Sequence, residues 1–482
     1  MSRSLTTLAA GGLALAALVA PSTSHAATAH ATAHAPARAT HVRGDFDGDG
    51  KVDLAIGAPG GNRVMVRYTH ASPGGSHVRY LAPNTASFHY KPQFGWSLVT
   101  GDFNGDGFSD LAVGAPSFTT HPTGGGVVET RGAVFVFLGS SHGLVSQPLT
   151  IEGQYNGDDP FSLGGALASA DTDRDGFDDL AVTYDGNDGD NIRIYPGSAG
   201  GLSTSFASYD DYQAESLAFG DVDGDHHVDL VAGSTVDLAN PTDEFFGDVM
   251  VFHGTAAGIS ATGPSRIRGD QVGLNSDLGY AVATGDVNGD GYDDVVAGAP
   301  FDLFRHHRRS GGTIVLLTGG PHGLRATHHQ LLNEKRVNAA WHNRDGFGSA
   351  LSIVRVDGDR FADVVVGAPR ERVGGVAVAG AVFLVRGSHT GLTTLHHQRL
   401  TLGTPGIPGS VKKHAAFGTS VWAARIDGDR FGDVLAGMPG IQTTANGGGF
   451  ARIPGGSAGL RPSAASGAFS HHTGWMLGHS VR

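Results

Sequence analysis

An acidic nine-residue loop occurs seven times along this 482-residue chain, and that repetition constrains the fold more than any other feature. The first copy reads Asp45-Phe46-Asp47-Gly48-Asp49-Gly50-Lys51-Val52-Asp53 and the second Asp102-Phe103-Asn104-Gly105-Asp106-Gly107-Phe108-Ser109-Asp110. Three more intact copies begin at Asp171, Asp221 and Asp286, and two worn ones at Arg355 and Arg425, with first positions 50 to 70 residues apart. Each loop leads into a short apolar run such as Leu54-Ala55-Ile56-Gly57-Ala58-Pro59 or Val295-Val296-Ala297-Gly298-Ala299-Pro300. Eight residues before the first Asp stands Phe94-Gly95, Leu163-Gly164 or Leu278-Gly279, and Phe347-Gly348 and Phe417-Gly418 precede the worn loops. A third segment alternates with period two over residues 132–139 and 380–387, and a weaker fourth covers 148–151 and 398–402. Four short strands in a repeat of this length describe a propeller blade, and the turns between them account for 76 glycines. The expected fold is all-β: a seven-bladed β-propeller, four antiparallel strands per blade, over residues 41–482.

The joint pattern of Phe-Gly, acidic loop and Gly-Ala-Pro resembles the FG-GAP repeats of the integrin α-subunit propeller, which also occur in many secreted bacterial proteins. The fourth copy departs from it, with Gln213-Ala214 in place of Phe-Gly and Ala232-Gly233-Ser234 in place of Gly-Ala-Pro. The first copy has Ala37-Arg38 at the Phe-Gly offset, while the chain ends on Leu477-Gly478-His479-Ser480-Val481, an orphan copy of that strand. Residues 477–482 are therefore expected to complete the first blade and close the ring, removing a sheet edge that would invite aggregation. A vestige of an eighth repeat is the alternative.

The loops have the chemistry of a hard-cation site. Side-chain oxygens at positions 1, 3, 5 and 9 and the backbone carbonyl at position 7 suit calcium, and Gly at position 6 permits the turn. The spacing is that of the first part of an EF-hand loop, but strands flank it, so the element is a calcium hairpin. The expected ligand sets are Asp45, Asp47, Asp49, Lys51 and Asp53; Asp102, Asn104, Asp106, Phe108 and Asp110; and Asp171, Asp173, Asp175, Phe177 and Asp179. The fourth and fifth are Asp221, Asp223, Asp225, His227 and Asp229, with His226 straining the turn, and Asp286, Asn288, Asp290, Tyr292 and Asp294. That makes about five structural Ca²⁺ sites. In the worn copies Arg355 and Arg425 replace the first ligand and Arg360 and Arg430 the turn Gly, so ion pairs with Asp357, Asp359, Asp427 and Asp429 are expected instead of metal. Restoring Asp at 355 and Gly at 360 should then create a sixth site.

Composition narrows the function. A net charge of −13 argues against a broad phosphate-gripping face, so no nucleic-acid partner is expected. No cysteine is present, which excludes disulfides, thiolate metal sites and Cys nucleophiles. Arg3, an apolar run over residues 8–19 and Ser24-His25-Ala26 read as a secretory signal, residues 1–26, followed by a flexible Ala/Thr/His leader, 27–40. No segment is long enough to span a bilayer. A secreted, extracellular monomer follows.

In a four-stranded meander the acidic loops share a face with the third-to-fourth turns. Long dissimilar segments, residues 117–131, 236–246, 301–310, 333–345 and 403–416, fall on the other face, where recognition is expected. Integrins bind ligands on that face, which extends here by resemblance. The chain is therefore expected to be a non-catalytic binding or adhesion module for an extracellular protein or glycan. A hydrolase, since FG-GAP propellers accompany glycosylphosphatidylinositol-specific phospholipase D, and a glycan-binding lectin are the alternatives. Gly139-Ser140-Ser141-His142-Gly143 and Gly455-Gly456-Ser457-Ala458-Gly459 fit G-x-S-x-G, but both recur at a repeated turn. Arg43-Gly44-Asp45 and Arg268-Gly269-Asp270 read as chance tripeptides, and the four His-His pairs as solvated positions.

Overall fold

A computed structural model describes residues 42–482 except 70–76, 84–91, 120–130, 154–161, 186–190, 211, 236–245, 275–276, 302–310, 442–446, 471 and 473. The export signal, the leader and most of three of the five long loops lie outside the described residues. Among those described, no helix is long and apolar enough to cross a membrane.

The described chain folds as a seven-bladed β-propeller. Six four-stranded antiparallel sheets follow one another along the sequence, each ordered as a meander, and a three-stranded sheet opens the series. The second blade is typical: Leu98–Gly101, Asp110–Ala115, Ala133–Phe137 and Leu149–Glu152. The third segment of the sixth blade is Ala381–Arg386, within the expected window, whereas its fourth strand, Thr393–Thr401, begins earlier than the sequence suggested.

The apolar runs are continuous, not alternating, because both faces of every blade are covered. Successive side chains of a strand point to opposite faces. Leu111 and Val113 accordingly join a cluster with the first blade, and Ala112 one with the third. Seven such clusters form seven interfaces, one between each pair of neighbouring blades including the last and the first.

The two glycines of the repeat meet at those interfaces. A Cβ on Gly298 would clash with the carbonyl of Gly348 in the next blade, and the same relation joins Gly114 to Gly164 and Gly437 to Gly478. Neighbouring sheets thus approach backbone to backbone, which only Gly allows. In the one place where the pattern fails, it fails on both sides. Thr183 replaces the strand Gly of the third blade and Ala214 the matching Gly of the fourth, and the Thr183 hydroxyl accepts the Ala166 N–H at 2.8 Å.

The ring closes as the orphan strand implied. Ala55 and Arg482 exchange backbone hydrogen bonds at 2.7 and 2.9 Å, and Gly57 N–H donates to Ser480 O at 2.9 Å. Val481 and Leu477 are buried in the cluster shared by the first and last blades. Residues 480–482 therefore supply the innermost strand of the first blade. The seven innermost strands line a channel with cavities of about 280 Å³ toward Trp96 and His479 and about 270 Å³ toward Arg43 and Arg482.

Candidate functional site

Six of the acidic loops connect the innermost strand to the second, and the first leads into the second strand of a blade whose innermost strand is residues 480–482, so all seven share one face of the ring. The third-to-fourth turns lie beside them: Gly139 N–H donates to Asp110 Oδ1 at 2.8 Å and Gly197 N–H to Asp179 Oδ1 at 2.9 Å. Ser141 and Ser457 sit in these strand-to-strand turns, not at a strand-to-helix elbow.

Each carboxylate position has a defined local role. The first Asp gathers backbone N–H groups of its own loop: Asp45 accepts from Gly48, Asp49 and Gly50 at 2.7, 3.1 and 2.8 Å. Positions 3 and 5 accept from the N–H two residues on, as Asp173 does from Asp175 at 3.1 Å and Asp175 from Phe177 at 2.9 Å. These are Asx turns, a reason for Asp and Asn beyond any metal. The ninth residue is a buried strut. Asp53, Asp110, Asp229 and Asp294 are fully buried, and each accepts an N–H from its loop, two in the case of Asp294, and one from the following turn.

Burial without a nearby positive charge raises the proton affinity of Asp53, Asp110 and Asp294. Desolvation pushes Asp53 and Asp294 up to about 7 and Asp110 up to about 8. Oxygens converge as well: those of Asp45, Asp47 and Asp53, of Asp171, Asp173 and Asp175, and of Asp221, Asp223 and Asp225 lie within 4.8 Å of one another. Asp171 Oδ1 is buried with no hydrogen-bond partner. In the second and fifth loops position 3 is Asn, and Asn104 and Asn288 donate to Asp106 and Asp290 at 2.8 Å each.

Position 7 also serves the ring. The ring of Phe108 packs where a Cβ on Gly48 of the preceding loop would stand, and Tyr292 does so over Gly224. Position 8 donates its N–H to the position-1 carbonyl of the preceding loop, as Ser109 to Asp45 at 2.8 Å and Asp293 to Asp221 at 2.9 Å. The acidic face is thus laced from blade to blade.

The worn loops do hold ion pairs, but with other arginines than expected. Arg386, at the end of strand three, lies 2.8 Å from Asp357 and 3.2 Å from Asp363. Arg452 lies 3.0 Å from Asp427 and 2.7 Å from Asp433. These guanidiniums stand between the ligand-type carboxylates, while Arg360 and Arg430 turn away to cover Phe361 and Phe431 at 4.7 and 4.8 Å. The sequence expectation missed them because strand three touches the loop only in the folded blade.

The same strand position carries His253 in the fourth blade, its Nδ1 3.5 Å from both Asp223 and Asp229. The Asp229 carboxylate holds this imidazole above its usual range. The fourth site, complete by its loop, therefore contains a histidine that the loop alone did not reveal.

Arg355→Asp with Arg360→Gly is accordingly expected to add no cation site, whereas adding Arg386→Thr, the residue found at this position in the fifth blade, should add one. Calcium stoichiometry by calorimetry checks this. Gain of a site without the Arg386 change would show that its guanidinium does not occupy the cation's place.

Other sequence candidates are accounted for by local contacts. Arg43 pairs with Asp178 at 3.1 Å, and Arg268 pairs with its own Asp270 at 2.6 Å. His306 and His307 lie outside the described residues. His329 Nδ1 lies 2.6 Å from Ala326 O, and His472 stacks on Trp475 at 4.1 Å.

The opposite face begins at the residue after each Phe-Gly pair. Trp96 and Tyr280 stand there, 36% and 38% exposed, Trp96 against His479 at 4.3 Å and Tyr280 against Phe301 at 5.9 Å.

Comparison with known proteins agrees with the repeat reading. The FG-GAP repeat family model matches residues 94–137, 278–317 and 347–385, and an FG-GAP-like repeat model matches 45–113. Integrin alpha-5 of Xenopus laevis is 32% identical over 244 residues, 49% of this chain and 21% of that one. Integrin alpha-PS2 of Drosophila melanogaster is 32% identical over 187 residues, 38% of this chain and 12% of that one. Phosphatidylinositol-glycan-specific phospholipase D of Rattus norvegicus is 35% identical over 151 residues, 29% of this chain and 17% of that one. This chain thus spans about a fifth or less of each relative. The chain carries FG-GAP repeats over those stretches, folds as a seven-bladed β-propeller and is similar in sequence to integrin alpha chains.

Proposed function

We propose that the chain is an exported, calcium-stabilised recognition module that binds an extracellular protein or glycan through the face opposite the acidic hairpins. The observation carrying this reading is the division of labour between faces. One face is committed to carboxylate hairpins laced to one another. The other carries Trp96 and Tyr280 beside the channel mouth, and large amphipathic rings with part of their surface open are the residues that anchor protein and sugar ligands. Similarity to integrin alpha chains supports a recognition role.

Calcium is the cation this reading assigns to the first, second, third and fifth hairpins. Their donors are all oxygen and hard, and the converging carboxylates of the first and third, with the unpartnered Asp171 oxygen, fit such an ion. The fourth hairpin, with His253 among its carboxylates, also suits a borderline metal. Similarity to the phospholipase lies in a stretch of 151 residues, and the serines that raised a hydrolase reading occupy turns on the hairpin face.

An array of glycans and extracellular proteins, probed with the full chain in calcium, tests the proposal. Binding should fall at least tenfold in Trp96→Ala/Tyr280→Ala while the melting temperature stays within a few degrees. Undiminished binding by that variant would move the recognition surface elsewhere and overturn the assignment.

A further inference from the structure

We infer that a second kind of cation site lies on the face opposite the hairpins, where Glu334, Asp345 and Glu371 converge between the fifth and sixth blades to hold a hard divalent ion such as calcium. The three residues come from different segments. Glu334 opens the turn after the fourth strand of the fifth blade, His329–Asn333; Asp345 stands two residues before Phe347 of the sixth; Glu371 follows the second strand of the sixth, Asp363–Ala368. One oxygen from each lies within 4.8 Å of the others, and all three side chains are buried, at 0%, 2% and 0% exposure.

The surroundings are built for this arrangement. The Asn338 amide donates to Glu334 Oε1 at 2.7 Å and to Glu371 Oε1 at 3.0 Å, turning the second oxygen of each elsewhere. Glu334 Oε2 and Glu371 Oε2 are buried and accept no hydrogen bond. A buried carboxylate oxygen left in that state is costly unless a proton or a cation meets it.

The repeat itself shows that the space was made for the acid. Where Glu334 N–H bonds to Gly312 O, the corresponding residues of the second and fourth blades are Gly153 and Gly269, bonded to Gly132 O and Gly247 O. In those blades a Cβ on either glycine would strike the backbone carbonyl of the residue before, Arg131 or Phe246. In the fifth blade the position holds Glu334 instead, and its side chain lies over Gly311, where a Cβ would strike Glu334 Oε2.

Charge gives the ion's valence. Arg399 pairs with Glu371, and His342 Nδ1 lies 3.8 Å from Asp345, adding a charge only when the imidazole is protonated. With that imidazole neutral, three carboxylates and one guanidinium leave two negative charges, which a divalent ion balances. Without a cation, burial and the neighbouring carboxylates push Glu334 up to about 11 and Asp345 up to about 7, so metal uptake would release protons.

The competing occupant is a proton shared between Glu334 and Glu371. Bound calcium is to be counted after equilibrium dialysis for the wild-type chain and for Glu334→Gln/Glu371→Gln. The variant should bind one ion fewer per chain, a difference that does not depend on how many hairpins fill: if the hairpins bind none, the wild type still binds one. Equal counts would overturn the inference. Infrared spectra of the wild type, which need no variant to fold, should show a protonated-carboxyl band in chelator that disappears in calcium. Persistence of that band at saturating calcium assigns the pair to a proton and rejects the cation.

Discussion

Deletion of residues 477–482 is expected to abolish cooperative folding of the ring. Leu477 and Val481 are 1% and 3% exposed, and burial of such side chains contributes about 2 to 3 kcal/mol each. The segment also makes the two hydrogen bonds between Ala55 and Arg482 and one each from Gly57 to Ser480 and from Gly478 to Gly57. At about 1 kcal/mol net per bond, the total is on the order of 8 kcal/mol, comparable with the ~5 to 15 kcal/mol that separates most native domains from unfolding. Loss of the strand would further leave the inner edge of the first blade unpaired, a template for association. The truncated chain should aggregate or melt in a broad, low transition by calorimetry, and a synthetic peptide of residues 474–482 should sharpen and raise that transition. A truncated chain melting within a few degrees of the intact one would mean that the first blade stands on three strands.

The blade count, the strand order and the closing strand were legible because each is written in contiguous residues. A nonapeptide loop, a Phe-Gly pair and an orphan copy of it are local signals, and repetition multiplies their weight. The pairing of Gly298 with the Gly348 carbonyl was hidden inside the same motif, since it joins consecutive blades. Residues that complete the sites from outside the loop were not legible. Arg386 reaches Asp363 across 23 positions and Arg452 reaches Asp433 across 19, from strand positions two apart in the repeat. The equivalents of Arg386 are Leu138, His253 and Thr318, so no shared residue type marks the position. Glu334, Asp345 and Glu371 come from connections of unequal length, where alignment of the copies gives no register.

Chelation should lower the melting temperature by on the order of 10 °C near pH 8, and by much less at pH 5. Extracellular oxygen-lined sites hold calcium with Kd on the order of 10⁻⁴ to 10⁻³ M. At about 10 mM calcium each filled site then adds roughly 1.4 to 2.7 kcal/mol by mass action, and several sites add together. The pH dependence follows from the buried struts. Asp53, Asp110 and Asp294 have folded-state values of about 7, 8 and 7 against 3.8 for the ordinary side chain. The cation-free folded state therefore retains protons that the unfolded chain gives up. Its stability is fullest below the unfolded value and is lost as pH rises through the folded ones. In chelator the melting temperature should fall between pH 5 and pH 8. Calcium takes the place of those protons, so its binding strengthens over the same range and the gap between the two melting curves widens. Asp110→Asn, which removes the charge but keeps one acceptor for the Gly139 or Phe103 N–H, should flatten the chelator curve and narrow the calcium gap. A gap of constant width from pH 5 to pH 8 would show that these carboxylates are not linked to the cation, and the hairpins would then be Asx-turned struts held by their own hydrogen bonds.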